Sequence, residues 1–387
     1  MSRLEELIQE LCSNGVEYCK VGDIADYEQP TKYIVESTKY SDDFNIPVLT
    51  AGQTFILGYI NETHGIYEAS KENPVIIFDD FTGAFKWVDF PFKVKSSAMK
   101  IIHTKENKAY LRYIYHLMGF LNYKSDEHKR LWIGIYSEFL VPVPPLSVQA
   151  EIVRILDNFT ELTAELTAEL TARKKQYEYY RDELLNFDED VDYKTIEEIF
   201  DIRNGYTPSK NNVSFWENGE LPWFRMEDIR ENGRILSSAI QQVTLEAAKN
   251  KPFSANSIIV STSATIGEHA LIKVDFLCNQ RFTCLTLKKE YQNKFDIMFL
   301  YYYCFKLDTF CLSNLNKGNF ASVDMSKFYR FKIPLINISE QKQIVSILDR
   351  FDKLCNDISE GLPAEIAARQ KQYEYYRDKL LTFKTCK

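Results

Sequence analysis

One stretch of this chain occurs twice. Residues 172–187 read ARKKQYEYYRDELLNF and residues 368–383 read ARQKQYEYYRDKLLTF, identical at thirteen of sixteen positions around an unbroken KQYEYYRD octamer. Upstream, VPVPPLSVQAEIVRILDNF (141–159) aligns with IPLINISEQKQIVSILDRF (333–351) at an offset of 192 residues, whereas the octamers are offset by 196. The second copy therefore carries four extra residues between its matching blocks. A repeat of this period commits the chain to two half-copies of one plan.

Both copies predict helix. In the first, Ile152, Leu156, Phe159, Leu162, Leu166, Leu170, Tyr177, Tyr180, Leu184 and Phe187 recur at helical spacing; the second repeats the pattern from Ile344 to Phe383. An apolar stripe on a long polar helix needs a partner, and the chain holds two such helices, so we expect them to pair as an antiparallel coiled coil. Tyr177, Tyr180, Tyr373 and Tyr376 are expected to pack in that seam. Tyr179 and Tyr375 fall off the stripe and, with Arg181 and Arg377, are candidates for docking another protein. Between the blocks of the first copy lies TELTAELTAELTA (160–172). Each four-residue unit adds about 6 Å of helix and about 40° of residual rotation, so it changes length with little change of face. The second copy instead has Gly361 and Pro363, which predict a helix stop and restart with Pro363 in the new first turn.

The globular part reads the same way twice. In residues 18–140, strand-like runs (FNIPVLTA, TFILGYI, PVIIFDDF, FKWVDFPFKV) precede a helical AYLRYIYHLMGFLN. Residues 193–332 repeat this order loosely: GELPWFRMEDI stands in the place of FNIPVLTAGQ, and FDIMFLYYYCFKL in the place of AYLRYIYHLMGF. The expected fold is α+β. Two mixed globules at 18–140 and 193–332, led by an N-terminal helix (1–17), are each followed by a helical region, at 141–192 and 333–387.

Composition narrows the function. No run of about 18 apolar residues exists to span a membrane, and the first residues, MSRLEELIQELCSNG, begin directly as an amphipathic helix without a signal peptide. The eight cysteines form no CxxC pair, so buried reduced thiols in a cytoplasmic protein are expected. A net charge of −8 argues against a broadly basic nucleic-acid binder, but the charge is uneven. Residues 141–192 hold 5 basic and 12 acidic side chains, residues 193–333 hold 18 and 15, and residues 18–140 hold 14 and 16. DNA contact would have to come from local patches.

No catalytic motif is present: neither GxxxxGK[ST], GxGxxG, HExxH nor [DN]PP[FY] occurs, and the five histidines lack metal-ligand spacing. Asp79, Asp80 and Lys86 faintly resemble a nuclease carboxylate–lysine set, although acidic turn residues after an apolar strand are commonplace. What remains is polar and aromatic surface near expected loops. The first globule offers Lys32, Tyr33, Thr50, Gln53, Lys86 and Trp87. The second offers Arg203, Tyr206, Thr207, Lys210, Arg225, Arg281, Lys317 and Asn319. Such side chains read base edges and hold phosphates. Trp216 and Trp223 are expected in the core.

RLEELIQELCSNGVEY at the start, RNGYTPSKNN opening the second globule, IPLINISEQKQIVSILDRFDKL, QKQYEYYRDKLLTF and the TAEL-type array together resemble the specificity subunit of Type I restriction-modification systems along essentially the whole chain. The first copy departs at Val148, Ala150 and Glu151, where the second has the family-like Glu340, Lys342 and Gln343. The resemblance implies a protein without catalysis of its own. Its globules would be target recognition domains, each reading one half of a split double-stranded DNA site. The paired helices would set the gap and dock two methyltransferase subunits. S-adenosylmethionine, ATP and magnesium would be bound by partner subunits, including ATP-driven restriction motor-nucleases, and not by this chain. A coiled-coil scaffold that binds only proteins and a self-contained restriction enzyme are the competing classes; the missing motifs oppose the second.

Overall fold

The computed structural model describes residues 3–52, 54–105, 108–123, 129–316, 321–357 and 359–386. In chain order the first half contains α1 (Arg3–Leu11), β1 (Glu17–Lys20), α2 (Val21–Ile24), β2 (Ala25–Glu28), β3 (Ile46–Leu49), β4 (Ile56–Ile60), β5 (Val75–Asp79), β6 (Phe85–Val88), β7 (Lys93–Val94), β8 (Met99–Thr104), α3 (Leu111–Leu121) and β9 (Leu140–Val143). The long α4 (Leu146–Leu184) comes next. The second half contains β10 (Tyr193–Thr195), α5 (Ile196–Ile199), β11 (Phe200–Asn204), β12 (Leu221–Phe224), α6 (Met226–Asn232), β13 (Ile235–Leu236), β14 (Gln242–Val243), β15 (Ser257–Ser261), β16 (His269–Ile272), β17 (Leu277–Cys278) and β18 (Phe282–Leu287). It ends with α7 (Ile297–Ser313), α8 (Met325–Tyr329), β19 (Lys332–Pro334), α9 (Ile338–Asn356) and α10 (Leu362–Leu380). As Gly361 and Pro363 predicted, helix stops at Asn356 and resumes at Leu362, with Pro363 in the first turn.

Two compact units result: Met1–Ala168 with Ala364–Lys387, and Glu169–Pro363. Both long helical segments are thus divided between units. In each globule the entering and leaving strands pair, β1 with β9 and β10 with β19. The first globule has a four-stranded sheet, β2-β8-β5-β6, and a three-stranded one, β4-β3-β7. The second has β11-β18-β15-β16-β13 and β14-β12-β17. It repeats the first plan with β13 added in parallel to β16.

The buried runs Val75–Phe78 and Ser257–Ser261 explain why β5 and β15 sit inside their sheets. Alternation splits each run between two cores. Ile76 and Phe78 join the helical core of α1, α3, α4 and α10, while Val75 and Ile77 join a second core with Leu49, Phe92 and Val94. Ile258 and Val260 likewise face α7, and Ile259 faces the other side.

Within each unit the helices pair antiparallel. In the first, Phe159 stacks on Tyr376 at 5.3 Å, while Ile155 faces the Leu380 end of α10. In the second, Phe351 of α9 stacks on Tyr180 of α4 at 5.6 Å, and Cys355 lies towards Lys174. Tyr177 is buried as expected, but Tyr180 and Tyr376 are 41% and 38% exposed. A two-helix seam has one apolar face, and a ring on its flank covers a phenylalanine with one side only.

The repeat is reproduced bond for bond at a glutamine. Gln149 accepts from the Tyr110 amide (3.1 Å) and donates to the carbonyls of Lys108 (3.0 Å) and Pro144 (2.8 Å). Gln341, 192 residues later, accepts from the Asp296 amide (2.8 Å) and donates to Lys294 (2.8 Å) and Ile336 (2.9 Å). Both glutamines are fully buried. Each latches the start of a globule's long helix, α3 or α7, to the start of the conserved helix, α4 or α9. Gln341→Leu orphans three backbone groups, at roughly 1–3 kcal/mol each when left unpaired. A loss of about 3 kcal/mol lowers the unfolding midpoint of the second unit by roughly 6–12 °C. Calorimetry reads this, and an unchanged midpoint would remove the latch role.

Candidate nucleic-acid interface

In the second globule β12 and β17 run parallel, pairing Trp223 with Leu277 and Phe224 with Cys278. Parallel neighbours deliver the loops at their C-terminal ends to the same edge, here Arg225 from one strand and Asn279, Gln280 and Arg281 from the other. The Asn279 amide donates to the Phe224 carbonyl (3.1 Å) and ties the two exits together. A third loop joins because Gly205 lies against this turn; a Cβ there would stand 2.2 Å from the Asn279 carbonyl oxygen, so no side chain fits. The Tyr206 amide then donates to Cys278 (2.8 Å), and the Thr207 hydroxyl donates to the Gln280 side-chain oxygen (2.5 Å).

These loops enclose an open cavity of about 520 Å³ lined by Thr207, Lys210, Trp216, Trp223, Arg225, Gln241 and the 279–281 turn. The indoles meet edge to face, with centroids 5.0 Å apart at 86°. Their N–H groups are used internally, Trp216 on the Ser209 carbonyl (3.0 Å) and Trp223 on that of Tyr206 (3.1 Å). Trp223 is core, as expected. Trp216 is half-buried and forms cavity wall, which corrects its expected core role. Arg225 lies over Trp223 at 5.5 Å, and its Nε is buried without a hydrogen-bond partner among the described residues.

The structure therefore brings together Thr207, Lys210, Arg225 and Arg281, four of the eight candidates in this globule. Two others serve the fold. Arg203 donates to the carbonyls of Lys251 (3.0 Å) and Pro252 (3.3 Å) and covers Phe253, while the Tyr206 hydroxyl bridges the Lys249 amide (2.8 Å) and the Ala247 carbonyl (3.4 Å). Lys317 and Asn319 lie outside the described residues. Gln241, Asn279 and Gln280 were missed from sequence.

The first globule builds the same edge with other side chains. β3 and β7 are its parallel pair, and the Lys95 amide donates to the Leu49 carbonyl (3.1 Å) as Asn279 does in the second. Thr50 stands at the position of Arg225 and Lys95 at that of Asn279, and the Val35 amide donates to the Val94 carbonyl (3.0 Å) as Tyr206 does to Cys278. The Thr50 hydroxyl donates to Thr54 (2.9 Å) and accepts from Gly52 (3.1 Å), shaping the loop that contains Gln53, itself outside the described residues. Exposed Lys32 pairs with Glu28 (2.9 Å), which raises its pKa, and lies over the Tyr33 ring. Lys95 lies over the Tyr40 ring; neither was foreseen. Two candidates are corrected. Trp87 points to the opposite side of the sheet, under Arg112 (4.7 Å) and against Tyr115. Lys86 is half-buried on β6 opposite Ile77. In a strand, neighbours at 86 and 87 must face opposite ways.

The nuclease-like carboxylates have structural duties. Asp80 is buried and accepts from the amides of Leu131 (3.2 Å) and Trp132 (2.8 Å), while Asp79 accepts from Phe81 and Thr82 in the turn. Burial pushes up the Cys278, Cys304 and Cys311 thiols, the last to about 12. All cysteines of the described residues are free thiols. No described helix is long and apolar enough to cross a membrane.

The repeated octamer carries a duplicated surface. Tyr179 and Tyr375 are 62% and 61% exposed, each edge-on to the next tyrosine at 5.4 and 5.3 Å. Arg173 bonds Gln176 as Arg369 bonds Gln372, both at 2.9 Å. Arg181 and Arg377, offered as docking residues, are instead mostly buried. They lie over Phe305 and Tyr373 and bond Asp182 and Asp378.

Beneath this surface, Asp157 accepts from Arg112 (2.7 Å) and His116 Nε2 (2.8 Å), and Tyr373 lies 3.1 Å from His116 Nδ1. In the second unit Asp349 accepts from Tyr302 (2.6 Å) instead. Burial lowers the His116 pKa despite Asp157, so the folded state holds a neutral ring. The unfolded chain takes up that proton first. Stability from this site is complete above about pH 6.5, the ordinary histidine value, and is lost as pH falls below it. Between pH 7.5 and 5.5 the unfolding midpoint of the first unit is expected to drop less in His116→Gln than in wild type. His103, also lowered by burial, leaves a residual slope.

Comparison with known proteins agrees with this architecture. The family described as "Type I restriction modification DNA specificity domain" matches residues 13–173 and 188–368. The chain is 49% identical over 404 residues to the Type I restriction enzyme EcoR124I/EcoR124II specificity subunit of Escherichia coli, covering 99% of this chain and 97% of that protein. A putative type I restriction enzyme specificity subunit of Haemophilus influenzae is 29% identical, with 98% of each chain covered. Among solved structures, the S subunit of a Type I restriction-modification system from M. genitalium shares the fold at a TM-score of 0.56 and 13% identity, over 95% of this chain and 96% of its own. With two matches along the repeat and a full-length relative at nearly half identity, this chain belongs to the Type I restriction-modification DNA specificity subunit family.

Proposed function

We propose that this chain is the non-catalytic DNA reader of a Type I restriction-modification complex, each globule recognising one half of a split, asymmetric double-stranded site. One observation carries the reading: the same three-loop edge is built twice on one scaffold with unlike side chains. Tyr206, Arg225 and Asn279 in one globule correspond to Val35, Thr50 and Lys95 in the other. A duplicated scaffold with diverged tips is what two different half-sites require. Arginine pairs with guanine, and asparagine or glutamine with adenine, so the second edge holds the side chains that discriminate bases.

The helices act as spacer and docking surface. The exposed Tyr179 and Tyr375, set in matching hydrogen-bond surroundings, support two copies of one partner, an adenine methyltransferase that brings S-adenosylmethionine. Motor-nuclease subunits with ATP and magnesium add restriction.

A genome-wide map of methylated adenines with and without this gene tests the reading. Loss of one split motif on deletion is expected; an unchanged map from a strain whose methyltransferase subunits are expressed would overturn it.

A further inference from the structure

Exposed Arg281 can reach a groove from the rim, but the rest of the second globule's cavity does not enter one. A major groove is about 12 Å wide and 8.5 Å deep, and a protein reads it with a helix or ribbon that enters. Arg225, Gln241, Asn279 and Gln280 instead line a concavity of about 520 Å³ walled by the two indoles. A concave site receives what projects from the DNA, either backbone phosphate or a base out of the stack. A phosphate takes donors alone, whereas this lining combines guanidinium donors, the Glu227 carboxylate 3.9 Å from Arg225 Nε, amides that both donate and accept, and aromatic wall. Those are the groups that hold an extruded base.

The rim supplies the other half of such a device. Val213 and Ile240, next to the wall residues Trp216 and Gln241, are 58% and 50% exposed. Leu245, in the turn beside Phe215, is 70% exposed. Exposed aliphatics beside a cavity are suited to wedging between base steps and filling a vacated place in the stack. The first globule differs: Tyr40 packs against Gly58, whose Cβ would meet the ring at 2.7 Å. Its edge residues Thr50 and Lys95 are held by Thr54 and Tyr40.

We infer that the second globule reads its half-site by taking one base out of the duplex into the cavity between Trp216, Trp223 and Gln241. This rests on the reading of the globules as half-site readers. The test uses the complex assembled with its methyltransferase subunits and duplexes in which each pair of the mapped second half-site is mismatched in turn. A mismatch removes part of the unpairing cost, so one position is expected to bind roughly tenfold tighter than the matched duplex. Trp216→Ala and Gln241→Ala should each abolish that gain. Any gain at the methylated adenine should persist in both variants. If every other mismatch weakens binding, or the gain survives both substitutions, the inference falls while half-site reading stands. Failure of the complex to prefer the mapped site at all would overturn both.

Discussion

Arg281→Ala is expected to erase base preference at one position of the second half-site and to weaken cognate binding about 5- to 150-fold, the equivalent of about 1–3 kcal/mol for one bidentate guanidinium–base contact. Arg281 is exposed at the exit of β17, and its backbone is held on both sides: its amide donates to the Asn279 side chain (3.0 Å) and its carbonyl accepts from the Thr262 amide (3.0 Å). Truncation therefore removes reach without breaking the fold, and the unfolding midpoint should not move. Lys210, exposed on the facing loop, gives the contrast. A lysine on phosphate carries no sequence information, so Lys210→Ala should weaken all sequences alike and reduce the salt-dependence slope by about one. Competition binding over a library of second half-sites at two salt concentrations separates these outcomes. Equal loss on all sequences for Arg281→Ala would remove it from the base-reading set.

The repeat made most of the scaffold legible. An offset of 192 carries Gln149 onto Gln341 and Asp157 onto Asp349, and the structure gives each pair the same duty. The loose alignment of FNIPVLTAGQ with GELPWFRMEDI placed β3 against β12, and thereby Thr50 against Arg225. What stayed hidden was the partner of those strands. β12 pairs with β17 across more than fifty residues, and β17 is two residues long, too short for any periodicity. Asn279, Gln280 and Lys95 come directly after such minimal strands and could not be placed by local pattern. FKWV alternates, so Lys86 and Trp87 could never share a face, and the run Phe85, Trp87 belongs with the apolar side that meets α3.

Deleting one four-residue unit, Glu165–Ala168, is expected to abolish methylation at the original motif and create it at a motif with both half-sites intact and a shorter gap. The array is suited to such a change. Thr163 donates to the Phe159 carbonyl (2.8 Å) and Thr167 to that of Thr163 (2.7 Å), so successive units repeat one internal bond and losing one leaves the others as they were. Little core goes with it, since Leu166 is only half-buried, the other three residues are exposed, and the buried anchors Ile152, Leu156 and Tyr177 lie on either side. One unit is about 6 Å of helix against about 3.4 Å per base-pair step, so the gap should shrink by about one to two base pairs. Mapping methylated adenines in a strain carrying only the deleted form reads the result directly. Changed bases within either half-site would show that α4 shapes recognition itself, and an unchanged gap would end its role as spacer.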